Sequence, residues 1–222
     1  MKYGEAPQTG RYVDVDFYQA NRGALFNIVW TAATWISVLL LSPLILASRV
    51  SNVIFKACSE FLSLIPSIFG FVIRYAFYRF ALPKCGDNVI IDFGTVFYQR
   101  DIAIGSNVTF GIGATIQHCE LGDHVMIGDG CRLICGTRKH AYDRTDIPIS
   151  QQGGQIKKIR IGSDTWIDAG SVVMNDVGEG SVIRAGSVVR EPIPPGSICE
   201  GNPAVIIGTR FEHGSERSDP KE

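Results

Sequence analysis

The chain has 222 residues, 45% of them hydrophobic, with Lys+Arg 21 against Asp+Glu 22. That length suits one ordinary domain plus an extra segment, and the near-zero net charge gives no electrostatic case for a nucleic-acid partner. The six cysteines, Cys58, Cys85, Cys119, Cys131, Cys135 and Cys199, include no C-x-x-C pair, so they read as small buried thiols of a reducing compartment rather than disulfides or metal ligands.

Residues 1–23 form a polar leader, and an apolar, helical, membrane-associated region follows over 24–84. Ala24 to Ser48 contains no charged residue, which meets the ~20 residues needed to cross a hydrocarbon core. It starts too late and runs too long for a cleaved signal peptide, and Pro43 is expected to kink or end a helix there. A second stretch, Phe61 to Ile73, is too short to span and is interrupted by Pro66 and Gly70, as suits a re-entrant or interfacial segment. Arg22, Arg49, Lys56, Arg74, Arg79 and Lys84 flank the two, where cations reach headgroups along their alkyl stems. Lipid contact is therefore expected over 24–73, integral or monotopic, with Ala24 to Ser48 either spanning or re-entrant; the competing reading is a pair of soluble core helices or a hairpin buried in an oligomer. Positive residues fall on all three connecting pieces, so the cytoplasmic face is only weakly preferred.

From Cys85 the pattern changes to a period of six. Apolar residues recur at Ile104, Phe110 and Ile116, at Leu121, Ile127 and Leu133, at Ile161, Ile167 and Val173, and at Ile183 and Val189. Many are followed at once by Gly, Ala or Asp. This is the mark of a hexapeptide β-helix, in which three hexads close a triangular coil, the aliphatic residue points inward and Gly fits the tight corners. A β-sandwich would show turn signals at irregular spacings of about 8 to 12 residues. Two slips interrupt the period, between Ile116 and Leu121 and between Val173 and Val177. A far longer excursion runs from Arg138 to Arg160. The fold class read from these features is mainly β: a left-handed parallel β-helix over 85–211 with an N-terminal apolar α-helical segment. The charged tail, 212–222, is expected to be disordered, and its His213 has no role.

The segment "IGSDTWIDAGSVVMNDVGEGSVIRAGSVVREPIPPGSICEGNPAVIIGTR", Ile161 to Arg210, resembles the carboxyl-terminal part of hexapeptide-repeat acetyltransferases of the galactoside, maltose and xenobiotic acetyltransferase superfamily. Its most specific pieces are "RAGSVV", "GNPA", and "IGSDTWI" after a loop containing His. The apolar leader followed by "PKCGDNVIIDFGTVF" is similar to enzymes that O-acetylate bacterial surface polysaccharides. The resemblance implies acetyl-CoA as donor, a carbohydrate acceptor and a homotrimer whose donor groove faces the His loop of a neighbour. With the apolar run and the weak preference for the cytoplasm, the expected place is the cytoplasmic face of the bacterial inner membrane.

Acetyl transfer from a thioester to a hydroxyl needs a base for the hydroxyl proton, and a neutral imidazole is suited to that at neutral pH. His140, on the loop 138–160 where the family carries its catalytic His, is the residue on which chemistry and resemblance converge. Asp143 and Asp146 follow it as candidates to orient the ring or bind acceptor hydroxyls. By resemblance, Trp166 walls the donor–acceptor tunnel, and Ala169, Ala185, Gly186 and Ser187 present main-chain groups to coenzyme A. Arg190 and Arg210 are the cations available for its phosphates. Here the chain departs from the pattern: Arg190 and Glu191 stand where the family often has "TK", and Val205 and Gly208 replace basic residues after "GNPA". Two other readings compete with this one. A gamma-type carbonic anhydrase would need His118, His124 and His140 on one zinc ion, but residues six apart point in different directions. A non-catalytic membrane-attached scaffold would tolerate loss of His140. No metal is expected.

Overall fold

The computed structural model describes residues 24–136 and 140–210. The leader 1–23, residues 138 and 139 of the predicted loop, and the tail 212–222 with His213 lie outside the described residues.

Three helices come first: α1 (Ala24–Val50), α2 (Asn52–Ser63) and α3 (Ser67–Ala81). α1 runs through Pro43 unbroken. Proline cannot donate to the carbonyl four residues back, Leu39, but the Ser42 hydroxyl donates to that oxygen at 2.8 Å and replaces the missing bond. By length and composition Asn27–Val50 is apolar enough to cross a membrane. The stretch Phe61 to Ile73 is not one segment: Leu64–Pro66 divides it between α2 and α3. Leu62, Gly70 and Val72 are buried, while Phe61, Leu64, Ile68 and Phe69 face outward.

From Lys84 onward short parallel strands stack on three faces. Face A holds β1 (Lys84–Cys85), β4 (Ile102–Ile104), β7 (Cys119–Leu121) and β10 (Ile159–Ile161). Face B holds β2 (Ile90–Ile91), β5 (Thr109–Phe110), β8 (Met126–Ile127), β11 (Trp166–Ile167), β13 (Val182–Ile183) and β15 (Ser197–Glu200). Face C holds β3 (Val96–Phe97), β6 (Thr115–Ile116), β9 (Arg132–Leu133), β12 (Val172–Val173) and β14 (Val188–Val189). The final strand, β16 (Val205–Thr209), turns back antiparallel on β15 and closes that end of the sheet. This is the expected mainly β parallel solenoid, and every apolar residue of the predicted six-residue series is buried at 5% exposure or less.

The register shows where the rhythm holds. From face A to B and from B to C the inward residue always advances by six, as in Ile104, Phe110, Ile116 or Ile161, Ile167, Val173. Every irregularity falls at the edge from C to A: Phe97 to Ile104, Ile116 to Leu121, Leu133 to Ile161, Val173 to Val177 and Val189 to Ile193. Both predicted slips and the long excursion thus share one edge.

The N-terminal end of the prism leaves strand groups with no coil beneath them, and α2 and α3 supply the partners face by face. On face A, Arg79 donates to the Cys85 carbonyl. On face B, Arg74 Nε donates to the Ile91 carbonyl at 2.8 Å. On face C, the Phe97 N–H donates to Ser59 Oγ at 2.8 Å. Buried strand ends need such partners, so the helices act as a lid on the sheet stack. Beneath them Phe77, Tyr78, Phe97 and Phe110 continue the core along the prism axis, with successive ring centroids 5.2, 4.4 and 5.2 Å apart. Arg74 and Arg79 therefore do not reach headgroups as their position in the sequence suggests: Arg74 is wholly buried, and Arg79 also pairs with Asp87 at 3.0 Å.

Gly70 is required by this arrangement. A Cβ there would lie 2.1 Å from the Ile65 carbonyl oxygen and 2.6 Å from Arg74 Nη1. Gly70→Ala is expected to lower unfolding free energy by about 1–3 kcal/mol, the usual cost of overpacking, as read from the midpoint of denaturant unfolding.

Candidate active site

The long excursion leaves the prism after Cys135, at the edge from face C to face A, and rejoins it at Ile159. Its neck is tied on both limbs. The Lys157 N–H donates to the Cys135 carbonyl, the Lys157 ammonium bonds Asn175 and Asp176, and Lys158 Nζ reaches Asp101 at 2.7 Å and Glu120 at 3.0 Å. Lys158, with His118 behind it, holds the Asp101 carboxyl below its ordinary range. Further out, Gln152 clasps the backbone of Arg144 through both ends of its amide, and a short 3-10 turn spans Ile149–Gln151. The described part of the loop thus carries hydrogen bonds of its own.

His140 stands exposed on this loop. With Ala141, Tyr142, Asp143, Gly154 and Gln155 it lines a pocket of about 100 Å³. The Ala141 N–H donates to the Gly153 carbonyl at 2.8 Å, which holds the two walls together. Of the two predicted carboxylates only Asp143 shares the pocket. Asp146 is gripped by the Arg144 guanidinium through Nε at 2.9 Å and through Nη2, and that hydrogen bonding lowers its pKa. Complete ligand pockets run to ~300–1,000 Å³, so the pocket formed by the described residues of one chain is smaller than that range.

The other predicted residues divide among all three edges. Ala169, Ala185, Gly186 and Ser187 sit in one column at the edge from B to C, where Gly170 and Gly186 take φ of 71° and 69° and the Gly186 N–H donates to the Ala169 carbonyl at 2.8 Å. Ala169, Ala185 and Gly186 are exposed, but Ser187 is buried. Its hydroxyl donates to the Arg184 carbonyl at 2.6 Å and accepts from the Gly201 N–H, and its own N–H and carbonyl are bonded to the Arg184 carbonyl and the Val172 N–H. Arg190 lies at the edge from C to A, exposed, with its carbonyl held by Asn175. Arg210 lies at the edge from A to B, where Nη1 reaches Asp164 at 2.7 Å and the Gly180 carbonyl at 3.2 Å. Trp166 is 42% exposed on face B beside Met126 and Val182 and does not line the His140 pocket.

Sequence reasoning missed the residues that tie the loop, Lys157, Lys158, Gln152 and Asp101; the paired lysines directly before Ile159 were the available signal. It also passed over Arg184, a cation on the same edge as Ala185, paired with Glu200 at 3.2 Å. A groove of about 690 Å³ beside α2, lined by Lys56, Tyr98, Gln99 and His118, was likewise unforeseen.

The cysteines are as expected: all six are free and buried. Burial pushes the Cys131 thiol up to about 11 and Cys85 to about 12, which suppresses the thiolate. None is expected to react with a thiol reagent until the protein is unfolded, so a titration before and after denaturant should rise from none to six. Among the described residues no group of three His, Cys, Asp or Glu side chains could hold a metal ion, and His118 and His124 occupy different edges.

The bacterial transferase hexapeptide family (six repeats) matches residues 158–191. A probable acetyltransferase of Mycobacterium tuberculosis is 34% identical over 118 residues, 51% of this chain; the chain spans only 39% of that relative's length. A hexapeptide-repeat-containing acetyltransferase of Vibrio cholerae O1 biovar eltor, solved with acetyl coenzyme A, superposes with a TM-score of 0.58 at 25% identity, covering 69% of this chain and 86% of that one. A galactoside acetyltransferase in complex with coenzyme A superposes at 0.64, with 21% identity and coverage of 79% and 87%. The chain is thus a helix-capped parallel β-helix that carries the bacterial transferase hexapeptide repeat and resembles the hexapeptide-repeat acetyltransferases.

Proposed function

We propose that the protein is an acetyl-CoA-dependent O-acetyltransferase that modifies a sugar hydroxyl of a bacterial surface polysaccharide or of its lipid-linked precursor. The observation that carries this reading is an exposed imidazole, His140, on a loop clamped to the edge of a hexapeptide prism, in a chain 34% identical over 118 residues to a probable acetyltransferase.

In this mechanism His140 takes the proton of the acceptor hydroxyl as its oxygen attacks the thioester carbonyl. The tetrahedral intermediate collapses, the C–S bond breaks, and the imidazolium returns the proton to the departing thiolate. Asp143 faces the same pocket and orients the ring or an acceptor hydroxyl. Trp166 walls the tunnel, and the column of Ala169, Ala185, Gly186 and Ser187 takes the pantetheine arm. Arg190 reaches phosphate; Arg210 does so only by leaving Asp164.

This assignment puts donor and base on neighbouring edges of one prism, separated by face C. A pitch of six residues at ~3.3 Å each makes that face up to about 20 Å wide. A homotrimer resolves the separation by bringing the donor edge of one subunit to the loop of the next, and it supplies the walls the open His140 pocket lacks. The apolar helices hold the three sites beside a lipid-linked acceptor at the cytoplasmic face of the inner membrane, with lipid contact within residues 24–73.

The test is to incubate purified protein with acetyl-CoA and a panel of membrane-derived glycans, mapping products by mass and linkage. An acetyl ester on one sugar position is expected; consumption of acetyl-CoA with no acetylated glycan would reject the acceptor class.

A further inference from the structure

The sequence leaves open whether α1 crosses the bilayer, and the packing of α1 answers it. α1 lies along α3: Val29, Ala33 and Ser37 share one crevice with Ile68, Phe69 and Ile73. Nearer the prism, the Trp35 ring centroid lies 5.9 Å from that of Phe80, and Arg49 donates to the Phe80 carbonyl. α3 is in turn pinned to the first coil by Arg74 and Arg79. A spanning α1 would draw α3, its two arginines and the strand ends they satisfy into hydrocarbon, where charged groups and unpaired backbone are expelled.

From Asn27 to Ser48, α1 nonetheless carries no charged residue. Ile28, Trp35, Leu39 and Leu46 form one outer stripe at spacings of seven, four and seven residues, each at least 60% exposed. Phe61 and Leu64, near the α2–α3 turn, are also exposed. The apolar surface ends at Arg49, which bonds the Phe80 carbonyl, and at Lys56, which pairs with Glu60 at 3.3 Å. An uncharged face on a helix apolar enough to cross a membrane matches the hydrocarbon of a lipid leaflet.

We infer that α1 lies in the plane of a single leaflet as a monotopic helix, with both of its ends and the prism with its His140 loop on the same side of the membrane. The inference rests on the membrane attachment proposed above but not on acetyl transfer.

The experiment reconstitutes the full chain in phosphatidylcholine–phosphatidylglycerol vesicles. Single tryptophans are placed on the stripe by native Trp35, Ile28→Trp or Leu46→Trp, with the remaining tryptophans changed to Phe, and quenching by lipids brominated at different depths is measured. Residues 28 and 46 are about 27 Å apart along the helix at 1.5 Å per residue, close to a hydrocarbon thickness. Equal depth for all three supports the in-plane helix. A deep middle with shallow ends means a spanning helix and overturns it. Absence of quenching, with self-association in its place, assigns the face to a second copy and also overturns it. A wild-type control that needs no folded variant tags both termini: protection of one tag and cleavage of the other in intact vesicles refutes the inference, whereas equal accessibility supports it. Because acetyl transfer enters none of these readouts, failure of the catalytic assignment and failure of this one are separable.

Discussion

Alanine in place of His140 is expected to lower acetyl transfer by about 10²–10⁴-fold, the usual worth of general-base assistance. The thermal melt should not move, because His140 is exposed on a loop outside the prism and contributes nothing to the stacked core. The rate can be followed through the coenzyme A thiol released, since the protein's own six thiols are buried and silent while it stays folded. His140→Gln keeps the size and a hydrogen-bonding group but not the basicity, so it should fall with the alanine variant. Full turnover by His140→Ala would remove the mechanism and leave the scaffold reading standing.

The second large effect is structural. Arg74→Met is expected to cost about 2 kcal/mol or more, from ~1–3 kcal/mol for each of the Ile91 and Ile65 carbonyls left without a partner, the Leu62 carbonyl keeping the Ile65 N–H. The guanidinium donates to the Ile91 carbonyl at 2.8 Å, to Ile65 at 2.7 Å and to Leu62 at 3.2 Å, and methionine matches its stem but satisfies none of these. Burial lowers the Arg74 pKa, and the nearby Asp92 works against that shift. Denaturant unfolding followed by circular dichroism would show the loss; an unchanged midpoint would mean that water replaces the guanidinium and that the lid is looser than its contacts imply.

Most of the prism was legible because one inward residue per hexad has to be apolar, and a buried series such as Ile161, Ile167 and Val173 declares itself without tertiary information. The lid was not legible. Leu62 and Val72 are the same residue types whether they meet lipid or a protein core, and Arg74 at the end of an apolar run looks like a membrane-flanking cation. Only the unpaired strand ends of the first coil reveal what it does. The loop was visible as a break in period and its histidine as chemistry, but which carboxylate accompanies His140 depends on Arg144, whose grip on Asp146 no spacing rule announces. The distribution of the proposed donor residues over three edges was hidden for a related reason: a motif read along the chain does not say which corner it turns.

The edge from face C to face A behaves as a seam. Steps of four, five, seven and twenty-eight residues have all been let in there, as in Val173 to Val177 or Leu133 to Ile161, while the other two edges keep their pitch and the strands above and below stay in register. Material added at the seam does not propagate into the fabric. An engineer wanting a second appendage on this prism would open the stitch between Phe97 and Ile104, two coils below the existing loop, and expect the weave on either side to hold.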